Sequence, residues 1–80
     1  MNKEKTVQKE IGEKLKALRV SRGYSSYENF AVENELSRMH YWRIEKGLTN
    51  LTVGSLCRIL NIHEITIEDF FTMRVKKNVK

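Results

Sequence analysis

Ser37-Arg38-Met39-His40-Tyr41-Trp42-Arg43-Ile44-Glu45-Lys46-Gly47 opens on a hydroxyl that can accept from the free N–H groups of a helix start. It closes on the residue best able to end a helix. Wound as a helix, the stretch puts Tyr41, Ile44 and Glu45 on one side and Arg38, Met39, Trp42, Arg43 and Lys46 on the other. The inner side is apolar with one carboxylate; the outer side is basic and aromatic. A short helix with that outer face suits a DNA groove or the surface of a partner protein, and the flanking sequence has to decide between them.

Outward from this stretch the chain reads as helix throughout. It has 80 residues, no proline and four glycines, so helix breakers are scarce. Hydrophobic residues make up 40% and charged residues 31%, which is globular rather than disordered composition, enough for one domain over residues 1–80. No apolar run approaches the ~20 residues that span a bilayer, and Met1-Asn2-Lys3-Glu4-Lys5 leads into no signal-peptide core. The lone Cys57 excludes an internal disulfide and fits a reducing cytoplasm.

The first helix is expected from Lys3 to Arg22, with Val7, Ile11, Leu15 and Leu18 as its apolar stripe and Gly23 as its stop. Ser25 or Ser26 caps a second helix over Tyr27 to Glu33, with Phe30 inward and the small Ala31 where the next helix passes. Asn34-Glu35-Leu36 turns the chain, and Asn34 is the residue expected to take the left-handed conformation. Thr52 caps a fourth helix whose inward face is Val53, Leu56, Cys57, Leu60 and His63. Thr66 and Asp69 form a capping box that opens a fifth helix through Phe70 and Phe71. The domain core is thus 3–72, and the tail 73–80 loses periodicity and is expected to fray.

The order and the quoted residues together resemble the Cro and phage-repressor-like regulators, also called XRE-like. The resemblance rests on Ala31, the turn Asn34-Glu35-Leu36, Ser37 and the ending Ile44-Glu45-Lys46-Gly47, and it runs from about Ile11 to Phe71. It implies a five-helix, all-α, lambda-repressor-like domain with a helix-turn-helix, whose recognition helix is 37–46. It also implies that Glu45 pairs with the arginine late in helix one, here Arg19. The sequence departs from the family in having Glu35 where a turn glycine is usual, Tyr27 where a glutamine usually opens helix two, and Leu51 in place of a proline.

Within that frame Arg38 and Arg43 are candidates to read bases, because a guanidinium matches guanine O6 and N7; phosphate contact is the competing role. Met39 and Trp42 can pack on thymine methyls or sugar edges, or Trp42 can fold back over the scaffold or join a dimer contact. His40 is a possible donor or a solvated histidine. Ser37 caps the helix and can offer its N–H to a phosphate. Lys46, Asn50 and Thr52 stand where family members hold the DNA backbone, and Tyr27 is either a phosphate donor or core. His63 is expected as a satisfied core histidine and Cys57 as a small core residue. His40, His63 and Cys57 show no metal-ligand spacing, so neither metal nor cofactor is expected, and no small-molecule ligand is evident.

The net charge of +5 is unevenly spread. Residues 1–22 carry seven Lys/Arg and three Asp/Glu and residues 73–80 four and none, while residues 48–72 carry one and three. Basic ends suit phosphates, whose neutralisation releases counterions. The leading expectation is therefore a sequence-specific regulator of transcription on double-stranded DNA, acting as a symmetric dimer through helix five (Ile67, Phe70, Phe71). The alternative is a protein-interaction module, such as an antitoxin or adaptor, that kept the fold with weak or no specific DNA binding. An enzyme is not expected, since the sequence has no phosphate-binding glycine loop, paired nucleophile and base, or metal cluster.

Overall fold

A computed structural model of the chain describes residues 3–75. Five helices follow one another: α1 (Lys3–Ser21), α2 (Tyr27–Glu33), α3 (Arg38–Glu45), α4 (Val53–His63) and α5 (Ile67–Thr72). There is no strand among the described residues. Helix α1 packs on α2 and α3, α2 on α3, and α4 on α5. The core joins Ile11 and Leu15 of α1, Phe30 and Ala31 of α2, Tyr41 and Ile44 of α3, Leu56, Ile59 and Leu60 of α4, and Phe70 of α5.

Local chemistry sets the helix starts. Ser26, not Ser25, caps α2 by accepting from the N–H groups of Glu28 and Asn29; Ser37 accepts from His40, Thr52 from Ser55 and Thr66 from Asp69. The ends of α1 to α4 share one motif. A residue with positive φ follows the helix, its N–H returns three residues back, and the next N–H returns five back. Gly23 and Gly47 serve α1 and α3, whereas Glu35 and Glu64 serve α2 and α4 at φ 57° and 55°.

The left-handed residue of the α2–α3 turn is thus Glu35, and the expectation for Asn34 is corrected. The Asn34 side chain is already committed, donating Nδ2 to the Phe30 carbonyl at 2.9 Å, which holds its backbone at the end of α2. The stripe of α4 is also corrected. Leu56, Ile59, Leu60 and His63 face inward, while Val53 is 74% exposed and Cys57 is exposed. Val53 opens α4 directly after its Thr52 cap, and Cys57 lies one residue past Leu56 of the buried row. Val7, expected in the α1 stripe, is likewise exposed.

Two cations lie inside this small core. One is Arg19, in the last turn of α1. Lys14 of α1 donates its Nζ to the Phe71 carbonyl at 2.7 Å and lies 5.8 and 5.7 Å from the ring centres of Phe70 and Phe71. It closes the end of α5 onto α1. Phe70 is fully buried and Phe71 about half exposed, so one of the two phenylalanines packs inward, as expected. Of the tail 73–80, only residues 73–75 fall within the described part; Met73 packs against the core, and the expected fraying of 76–80 lies outside the described residues.

His63 stacks flat on Phe30, ring centres 5.2 Å apart and 6° from parallel. It is buried as expected but not satisfied: both ring nitrogens are without a hydrogen-bond partner among the described residues. Stacking occupies the ring face, and burial keeps both nitrogens at its edge from water. Burial first, and the nearby charge of Arg22 second, hold its pKa below the ordinary imidazole value. The unfolded chain therefore binds the extra proton more readily. The stability that depends on neutral His63 is complete above the unfolded pKa of about 6.5 and is lost as the pH falls through and below it. Urea melts taken from about pH 8 down to about pH 5 should show this loss, and H63L should largely remove it.

Candidate nucleic-acid interface

The orientation of α3 is set from behind by one ion pair. Arg19 Nε donates to Glu45 Oε2 at 2.8 Å and Nη2 to Glu45 Oε1 at 3.1 Å, a side-on fork on one carboxylate. Its third arm, Nη1, donates to the Tyr24 carbonyl at 2.7 Å, so α1, α3 and the α1–α2 connection meet on one guanidinium. Both side chains are about 95% buried, at 5% and 6% exposure. The hydrogen bonds to Glu45 raise the Arg19 pKa further, against the burial that opposes it. Beside the pair lies the Tyr41 hydroxyl, whose pKa is driven up by burial and then by the Glu45 carboxylate.

Close approach of backbones completes the mounting. A Cβ on Gly12 would stand 2.4 Å from the Glu45 carbonyl oxygen and 2.6 Å from that of Ile44. A Cβ on Gly47 would stand 2.8 Å from Cα of Lys9. Where the end of α3 crosses α1, each chain segment thus relies on the absence of a side chain.

With its inner face fixed in this way, α3 presents Arg38, Met39, His40 and Arg43 as exposed residues, and Met39 is 65% exposed. Lys46, at the end of the helix, is exposed as well. Trp42 is half-buried and forms a shared wall of two grooves. One groove runs between the starts of α2 and α3, lined by Tyr27, Glu28, Ser37, Arg38, Met39 and Trp42. The other, about 340 Å³, lies between α1 and α3 and brings Lys9, Lys16 and Lys46 around Tyr27 and Trp42, above the Arg19–Glu45 pair. Tyr27 also borders the core, so it is wall and core at once.

The structure therefore brings together Tyr27, Ser37, Arg38, Met39, Trp42 and Lys46 along two joined grooves; His40 and Arg43 stand on the same helix outside them. Asn50 and Thr52 line neither groove and are engaged elsewhere. Asn50 Nδ2 donates to Glu4 of α1 at 2.8 Å, and the Thr52 hydroxyl caps α4. Lys9, Lys16 and Gly12 join the site here without being marked out by any motif of the sequence. The lysines lie seven residues apart, two turns of α1, and so on one side of it. That spacing was visible, but the groove it borders appears only when α3 is laid across α1. A glycine in mid-helix costs about 1 kcal/mol against alanine, so Gly12 was itself a signal of close packing.

Two short helices joined by a tight turn, the second capped by serine and held outward by a buried ion pair, define a helix-turn-helix domain. Comparison with known proteins agrees. No family model and no solved structure matches the chain. Among curated proteins it is similar to the control protein C.MunI of a Mycoplasma species, with 36% identity over 62 residues, which span 78% of this chain and 84% of that protein. The chain belongs to the Cro and phage-repressor-like (XRE-like) family of helix-turn-helix regulators. No helix among the described residues is long and apolar enough to cross a membrane.

Proposed function

We propose that the protein is a sequence-specific DNA-binding regulator of transcription that lays α3 in the major groove. The observation that carries this reading is the exposed row Arg38, Met39, Arg43 and Lys46 on a helix whose back is locked by Arg19 and Glu45. A rigid mount lowers the ordering cost of binding, and a basic outer face supplies the phosphate attraction. In this reading Ser37 and Arg38 reach base edges or the nearest phosphates from the start of the helix, Arg43 and His40 lie further along it, and Met39 and Trp42 pack on thymine methyls or sugars. Lys46, together with Lys9 and Lys16, lines the groove where the phosphate backbone passes. Tyr27 contributes its hydroxyl from the shared wall, and Asn50 and Thr52 contribute chiefly by holding the loop before α4. Likeness to a control protein makes a restriction–modification controller the narrower form of the proposal.

Such a regulator acts as a symmetric dimer, its two recognition helices about 34 Å apart in successive major grooves. The exposed Ile67 and Phe71 of α5 supply an apolar surface for that contact, with Phe70 packed beneath. Selection from random duplexes at near-physiological salt should recover a palindrome with half-sites about one turn apart. R38A should then relax preference at one or two base pairs, at about 1–3 kcal/mol, while K46A should weaken all sequences alike and flatten the salt slope by about one. A second reading, a protein-interaction module, draws on Glu28 in the first groove and on Glu33 and Glu35 nearby, which disfavour phosphate. Retention on duplex DNA that ignores ionic strength, or no enrichment from folded protein, would select it.

A further inference from the structure

Arg58 of α4 is the only Lys/Arg among residues 48–72, and it turns back to the helix-turn-helix. Its Nη2 donates to the main-chain carbonyl of Glu35 at 3.0 Å. Glu35 is the left-handed residue on which the chain reverses between α2 and α3, a conformation that costs a residue with Cβ more than it costs glycine. The N–H groups there are already used: Glu35 donates to Val32 and Leu36 to Ala31, closing α2. Leu36 packs the far side of the turn against the core, and the Glu35 carbonyl is left to accept from another element. Helices α3 and α4 do not close on each other at this point, because a cleft lined by Leu36, His40, Ile44, Arg58 and Ile59 lies between them. The Arg58 hydrogen bond bridges that cleft at the turn.

We infer that Arg58 is a positioning residue for the recognition helix, a clamp that holds the Glu35 turn where most turns of this kind would have a glycine. The guanidinium sets the departure of α3 from α2 and does not itself meet DNA. This rests on the DNA-binding reading only for its effect on affinity; its effect on α3 is read in the free protein. R58A should move the amide resonances of residues 38–45 while those of the first turns of α1 stay in place. The double variant E35G/R58A should return them toward the wild type, because glycine takes the left-handed conformation without a clamp. On the selected duplex R58A should bind about tenfold more weakly, as loss of one charge-assisted hydrogen bond allows, with an unchanged salt slope, and E35G should restore most of the loss. Resonance changes confined to α4, or a salt slope shallower by about one, would overturn the inference, the latter by making Arg58 a phosphate contact. If the wild-type protein selects no duplex, the DNA reading falls, and the resonances of residues 38–45 still decide for or against the clamp.

Discussion

Alanine at Gly12 is expected to destabilise the domain severely, by about 3 kcal/mol. In an isolated helix the change would be favourable by about 1 kcal/mol, since alanine is the better helix former. Here its methyl carbon would fall 2.4 and 2.6 Å from the carbonyl oxygens of Glu45 and Ile44. Those atoms are backbone and cannot swing away; relief requires α1 and α3 to separate. Separation would loosen Ile11 and Leu15 from Tyr41 and Ile44 and lengthen the Arg19–Glu45 hydrogen bonds. Overpacking of a well-filled core costs about 1–3 kcal/mol and more where backbone must move. Against a total of about 4–12 kcal/mol for a chain of this size, a net loss near 3 kcal/mol would lower the melting temperature by about 12 °C or more. Thermal unfolding followed by circular dichroism measures it, with K16A on the exposed side of α1 as the control expected to stay within about 1 kcal/mol. A G12A protein as stable as wild type would mean that α1 and α3 lie further apart than described.

The same contact separates what the sequence could reveal from what it could not. Helix starts are local chemistry, and Ser37, Thr52 and Thr66 cap the helices they were expected to cap. The Arg19–Glu45 pair was legible because the family resemblance supplied both ends; spacing alone would not have joined residues 26 apart. Asn34 has the greater intrinsic tolerance for the left-handed position, yet its amide is drawn to the Phe30 carbonyl and the strain passes to Glu35. Along α4 the assumed stripe began at Val53, whereas the buried row begins at Leu56 and includes Ile59, because burial depends on which neighbour covers each turn. The lysine groove and the Arg58 clamp are tertiary juxtapositions. Each of their residues reads alone as an ordinary surface cation, and only the crossing of α1 by α3, or the placing of α4 beside the turn, gives it a task.

Removing the carboxylate of Glu45 is expected to cost about 3–5 kcal/mol, among the largest effects of any side-chain truncation in this domain. The reason is what remains. In E45A the Arg19 guanidinium keeps its hydrogen bond to Tyr24 but stays buried with two donors and a full charge uncompensated. R19M should be nearly as harmful, because it strands the carboxylate in turn. The double variant R19M/E45L should recover much of either loss, since an apolar pair of similar volume avoids both desolvation penalties. Urea unfolding of the four proteins closes the cycle, and the pair is coupled if the double loss is smaller than the sum of the single ones. Strict additivity would mean that the two groups do not meet in solution. The recovery of stability need not carry over to DNA. The fork ties α3 to α1 through fixed hydrogen-bond directions, whereas Met against Leu fills space without fixing the rotation of the helix about its axis. Arg38 and Arg43 project from that helix, so a small rotation displaces both guanidinium groups together. R19M/E45L should therefore fold well and discriminate its duplex from mismatched ones less sharply than the wild type. Equal discrimination by the two proteins would reduce the ion pair to a stability device and assign the aim of α3 to the turn at Glu35.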